Sequence, residues 1–189
     1  MTIPIIATIL RALWFMAEMA EKTHAARHKF TPLKNRDRGS LKIFMAATLA
    51  VPAGVIVGFT KVGHIQTEGN VLGVVGIALM LTGILIRWAA IYTLGQYFTR
   101  TVTILPGHRI VRDGLYKHLR HPSYAGCLLG DLGLGLALSN WLSMVIIFAP
   151  ILAATLYRIR IEEQALLENF GDEYFAYAQD TKRLIPKVY

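Results

Sequence analysis

Residues 114–139 read GLYKHLRHPSYAGCLLGDLGLGLALS. A cationic run ending in His121-Pro122 passes directly into an apolar block, and a second apolar block, from residue 141 to about 157, follows after Asn140. Residues 124–139 and 141 to about 157 therefore read as two short hydrophobic helices, with Ser139 and Asn140 turning the chain between them into a helical hairpin. Pro122 disfavours helical backbone at His121. The charges of the run thus lie at the mouth of the first helix and not inside it.

Working outward, three more apolar blocks precede the hairpin, at residues 3–20, 41–60 and 71–95. A helix crossing a bilayer needs about 20 apolar residues, fewer when neighbours shelter it. Together with 54% hydrophobic and only 17% charged residues, this block pattern marks a membrane protein. The expectation is an all-α, polytopic membrane protein with about five transmembrane helices in one domain, residues 1–189. The first block is broken by Arg11 and Glu18 and lacks the basic leader and cleavage site of a secretory signal, so it reads as a retained helix. It either spans the bilayer or lies on its surface.

Loop charge orients these helices. Lys22, Arg27, Lys29, Lys34, Arg36, Arg38 and Lys42 separate the first two blocks, whereas only Lys61 and Glu68 lie between the second and third. The positive-inside rule places the first loop in the cytoplasm, and with it residues 96–123, the C-terminal tail and any active site they form. The N-terminus is then outside. Arg100, Arg109, Arg112, Lys117 and Arg120 give the same orientation independently. The net charge of +8 resides in these gaps and comes with no nucleic-acid-binding motif, so membrane lipids are the expected partners and nucleic acid is not.

Several side chains invite chemical readings. His108, His118 and His121 have no carboxylate or cysteine at ligand spacing, and the proline spoils a facing pair, so no metal site is expected. The single cysteine, Cys127, forms no internal disulfide. Gly126, Gly130, Gly133 and Gly135 mimic a nucleotide loop but lie in a hydrophobic helix with no preceding strand, which favours close helix packing. Residues 157–170 contain no helix breaker, so the last span runs on into solvent until Gly171. On that extension Arg158 and Glu162 share a face; they form either an ordinary ion pair or a site in which a guanidinium clamps a carboxylate and a glutamate holds an ammonium. Arg87 and Asp131 lie within hydrophobic helices and need partners there, each other being one choice.

GHRIVRDGLYKHLRHPSYAG, the short hairpin, and RIRIEEQALLENFGDEYFAY with RLIP together resemble the isoprenylcysteine carboxyl methyltransferase family of integral membrane enzymes, over about residues 87–186. The first two helices match only as generic apolar segments. The resemblance implies S-adenosyl-L-methionine as cofactor and a prenylated or otherwise lipophilic acceptor drawn from the bilayer. It implies cofactor contacts at His108, Arg109, Ile110 and Val111, at Tyr116, at His121, Pro122, Ser123 and Tyr124, and at Glu162. Arg158 aligns with an arginine facing the acceptor carboxylate, the catalytic role; Asp131 receives no role. Phospholipid or other lipophilic amine methylation, NADPH-dependent reduction of a sterol-type substrate, and a non-enzymatic scaffold are the alternatives.

Overall fold

The computed structural model describes residues 2–25, 34–66, 69–186 and 188. The hairpin forms where the sequence places it: α5 (Pro122–Ala137) and α6 (Trp141–Phe170) meet at a turn in which Ser139 takes a positive φ of 49°. Pro122 opens α5, two residues earlier than expected. A proline fits the first helical position because that N–H has no intrahelical acceptor in any case. Asn140 caps α6 by accepting from the Ser143 N–H at 2.9 Å, and its amide donates to the Val62 carbonyl at 2.7 Å. The turn is thereby fastened to the far end of the second apolar block.

Upstream lie α1 (Thr2–Ala25), α2 (Ser40–Thr48), α3 (Ala50–Gly58) and α4 (Val71–Leu94), and α7 (Asp172–Asp180) follows Gly171. The second apolar block is interrupted at Leu49 because Pro52 has no N–H to offer the Thr48 carbonyl four residues back. Among the described residues, four segments are long and apolar enough to cross a membrane: Thr2–Ala20, Ser40–Gly58, Val71–Tyr97 and Trp141–Phe170. The fifth hydrophobic helix, α5, has 16 residues. At 1.5 Å per residue it is about 24 Å long, short of the ~30 Å hydrocarbon core. The expected five spans are thus four plus a short inner helix whose walls are other helices.

α4 and α5 make the most extensive helix contact, and glycine makes it possible. A Cβ on Gly83 would lie 2.5 Å from both the Gly126 carbonyl oxygen and the Gly130 nitrogen, so the two backbones touch where side chains normally separate them. The glycine string is a packing surface, as its setting suggested. At 30 residues α6 is about 45 Å long, so roughly ten residues project beyond a bilayer. Around this projection the chain packs residues 95–121, α7 and a two-residue antiparallel strand pair, β1 (Lys34–Asn35) with β2 (Thr103–Ile104).

One expected pairing is replaced. Arg87 does not pair with Asp131; α1 supplies a partner to each, Glu18 to Arg87 and Arg11 to Asp131, the latter at 3.0 Å. A helix with Arg11, Trp14 and Glu18 on one face and Ile9, Leu13 and Met16 exposed on another turns its polar stripe inward. Of the basic residues in the first loop, Arg27 and Lys29 lie outside the described residues.

Candidate active site

A cavity of about 260 Å³ lies where α1, α2, α4, α5 and α6 meet the segment 95–121 and α7. His108, Arg109, Ile110 and Val111 form one part of its wall. Tyr116, His121, Ser123 and Tyr124 form another, with Arg158 and Glu162 beside them. Pro122 stands behind the wall, fully buried, where it sets the direction in which α5 departs.

Arg158 and Glu162 are joined through a third side chain. The Tyr124 hydroxyl donates to Glu162 Oε2 at 2.9 Å and accepts from Arg158 Nε at 2.7 Å. Arg158 is 4% exposed; its Nη1 donates to Asp37 Oδ1 at 3.1 Å and to Ser40 Oγ at 3.0 Å, and its Nη2 donates to the Arg100 carbonyl. Every guanidinium nitrogen is therefore engaged by protein, so a ligand binding there would have to displace one of these partners. Asp37 anchors the network from the start of α2. Burial by itself raises its pKa, but hydrogen bonds from the Leu41 and Val102 N–H groups and Ser40, with the charge of Arg158, bring it below the ordinary carboxylate value.

A second network closes the membrane side. The Arg87 guanidinium makes a forked contact with the Glu18 carboxylate, and its Nη1 donates to Ser123 Oγ at 2.8 Å. Trp14 Nε1 donates to the same Glu18 at 3.2 Å. A third network fixes the solvent side around Glu163, which accepts from Arg120 Nε at 2.8 Å and from Arg183 Nε at 2.9 Å, with His121 Nε2 3.4 Å away. Arg120 also donates to the carbonyls of Ala178 and Thr181. The tail is thus tied to the RHP segment at several points, with backbone bonds between residues 118–121 and 182–183 adding to the tie.

The wall carries polar atoms without protein partners among the described residues. His108 is stacked on Tyr97 at 5.1 Å, and its buried Nδ1 is one such atom. Burial lowers its pKa, opposed in part by Glu162, so the imidazole is neutral near pH 7 and can offer one donor and one acceptor. Glu162 is about one-third exposed and projects a carboxylate into the same space. A carboxylate, a neutral imidazole and aromatic walls at the edge of a bilayer form a donor set suited to an amphoteric nucleoside-containing ligand. No group of three or more His, Cys, Asp or Glu positioned for a metal occurs among the described residues.

Sequence reasoning missed Glu18, Arg87, Asp37, Ser40 and Glu163. Glu18 and Arg87 were visible only as charges in apolar blocks. Asp37, three residues ahead of the start of α2, carried a weak capping signal, and Glu163 was hidden beside the more prominent Glu162.

Among the described residues, four apolar spans around a cavity lined by apolar, aromatic and charged side chains define an integral membrane protein with one internal polar site. Residues 75–168 match the isoprenylcysteine carboxyl methyltransferase family. The chain is 32% identical over 171 residues to protein-S-isoprenylcysteine O-methyltransferase of Saccharomyces cerevisiae, covering 85% of this chain and 72% of that one. It therefore belongs to that family. It is also 33% identical over 115 residues to protein-S-isoprenylcysteine O-methyltransferase B of Arabidopsis thaliana, covering 60% of this chain and 58% of the relative. A solved structure of the eukaryotic intramembrane Ras methyltransferase superposes with a TM-score of 0.56 at 29% identity, covering 89% of this chain and 53% of the other. The chain thus spans a little over half the length of several proteins it resembles.

Proposed function

We propose that the protein transfers a methyl group from S-adenosyl-L-methionine to the carboxylate of a lipophilic, isoprenylcysteine-like acceptor at the cytoplasmic face of a membrane. The observation that carries this reading is the Glu162–Tyr124–Arg158 relay, which puts a carboxylate and a guanidinium on one wall of a cavity bordered by apolar helices. Family membership supports the same chemistry.

When bound, the cofactor supplies an electrophilic methyl group on a sulfonium sulfur. Glu162, oriented by the Tyr124 hydroxyl, holds the cofactor's ammonium, while His108, Arg109, Ile110, Val111 and Tyr116 line its remaining length. His121, Ser123 and Tyr124 complete the cofactor wall, and Pro122 holds them in register from behind. Arg158 faces the acceptor carboxylate, releasing one of its protein contacts to orient it. A carboxylic acid with an ordinary pKa of about 4 is already ionised at pH 7, so no general base is required. What the residues provide is alignment and exclusion of water around two reacting groups.

The acceptor enters from lipid. α1 leans on α4 and α5 and barely touches α2, and Phe15 and Met45, which line the cavity from these two helices, are each about half exposed. In this reading the cofactor enters from the cytoplasm and the N-terminus is outside, an orientation supported by the basic residues of the 95–121 segment.

Calorimetry on the purified protein in detergent tests the reading. It is expected to bind S-adenosylhomocysteine, the demethylated product, and to ignore NADPH; the reverse preference overturns it.

A further inference from the structure

A second residue of the cavity lining, besides His108, has a buried polar atom with no partner among the described residues. Tyr174, on α7, is 4% exposed and lines the cavity, yet its hydroxyl oxygen makes no hydrogen bond to them. The neighbouring tyrosine shows what such a group ordinarily does. Tyr177, whose ring meets that of Tyr174 edge-on at 6.1 Å, donates its hydroxyl to the Tyr116 carbonyl at 2.9 Å. A phenol buried without a partner costs stability, and proteins retain one where something else completes it.

The helix that carries Tyr174 is fixed on both sides of it. Gly171, at φ 51°, ends α6 and starts α7. The Arg120 guanidinium holds the Ala178 and Thr181 carbonyls, and Tyr177 ties the middle of the helix to residue 116. The Tyr174 ring is therefore held in the wall before any ligand arrives, its hydroxyl desolvated and unpaired. His108 Nδ1, in the same condition, is contributed by a separate stretch of the wall.

We infer that the Tyr174 hydroxyl is a ligand-binding group that hydrogen-bonds a polar atom of the cofactor, making α7 part of the cofactor site and not only a brace for it. The inference rests on the reading that the ligand is S-adenosylmethionine. A preformed donor or acceptor of this kind adds affinity at little ordering cost, because the protein has already met the cost of fixing it.

This makes Tyr174→Phe unusual, since removing the hydroxyl has opposite effects on the free and the bound protein. Without ligand, the variant loses an unsatisfied buried group and is expected to melt at or above the wild-type temperature. With S-adenosylhomocysteine as the probe, titration calorimetry is expected to give an affinity about tenfold weaker, the scale of one lost hydrogen bond. Equal affinity in the two proteins overturns the inference. A variant whose ligand-free melting temperature falls markedly also overturns it, because the hydroxyl then serves the fold. Failure of the wild-type protein itself to bind the probe removes the cofactor assignment on which the inference stands, an outcome separable from the other two. His108→Gln, tested in parallel, is expected to weaken the same probe, and the double variant to lose more than either alone.

Discussion

The Tyr124 hydroxyl connects the two residues on which the proposed chemistry depends, accepting from Arg158 and donating to Glu162. Tyr124→Phe is expected to cost about 1 kcal/mol of stability and to weaken S-adenosylhomocysteine binding several-fold, because Glu162 loses the donor that orients it. Glu162→Ala removes the carboxylate itself and is expected to weaken the same binding more strongly in calorimetry. Arg158→Lys keeps a charge near Asp37 but loses the fork that reaches Tyr124, Ser40 and the Arg100 carbonyl; turnover is expected to fall at least tenfold with cofactor affinity nearly retained. Asp37 adds a pH signature. Its folded-state pKa is depressed, so its contribution is fully present above the unfolded value of 3.8 and is lost as pH falls through the lower folded value. Thermal melts between pH 7 and 3 are expected to lose stability at the acid end, and Asp37→Asn to flatten that loss. The sequence exposed the i, i+4 relation of Arg158 and Glu162 but could not reveal the tyrosine between them, since Tyr124 comes from a helix 34 residues away.

The elements were legible to different degrees, for physical reasons. Hydrophobic blocks, a proline and a glycine marked both ends of the α5–α6 hairpin and its extension, because these are local signals read within one helix. Residues 41–60 read as one helix although Pro52 was available to break it at Leu49. α1 was the least legible: its Arg11 and Glu18 looked like interruptions of a generic span and are instead the partners of Asp131 and Arg87, 120 and 69 residues away. Charge identity shows that a partner is needed, whereas only the three-dimensional packing selects it. The α4–α5 contact gives an element-scale prediction. Gly83→Ala forces a methyl group into the Gly126 and Gly130 backbone and is expected to lower stability by about 2 kcal/mol or more in detergent melts. Leu85→Ala, at a position 70% exposed on the same helix, is expected to be nearly neutral.

At the scale of the whole molecule, three polar networks surround one cavity: Glu18 and Arg87 toward the membrane, Asp37, Arg158 and Tyr124 at its centre, and Glu163 with Arg120 and Arg183 toward solvent. The last of these clamps the tail, so Glu163→Ala is expected to cost about 3 kcal/mol by taking the carboxylate away from the largely buried Arg120 guanidinium, seen as a lower melting temperature and earlier proteolysis after α6. This layering fits the proposed transfer, in which one ligand comes from solvent and the other from the bilayer. The proposed product of that transfer is an ester. Incubating the purified protein in lipid vesicles with methyl-labelled S-adenosylmethionine and an S-prenylcysteine derivative bearing a free carboxylate measures this directly. Label is expected in the acceptor and is expected to be released by base as methanol; label that survives base, or no transfer from a cofactor the protein binds, rules out ester formation.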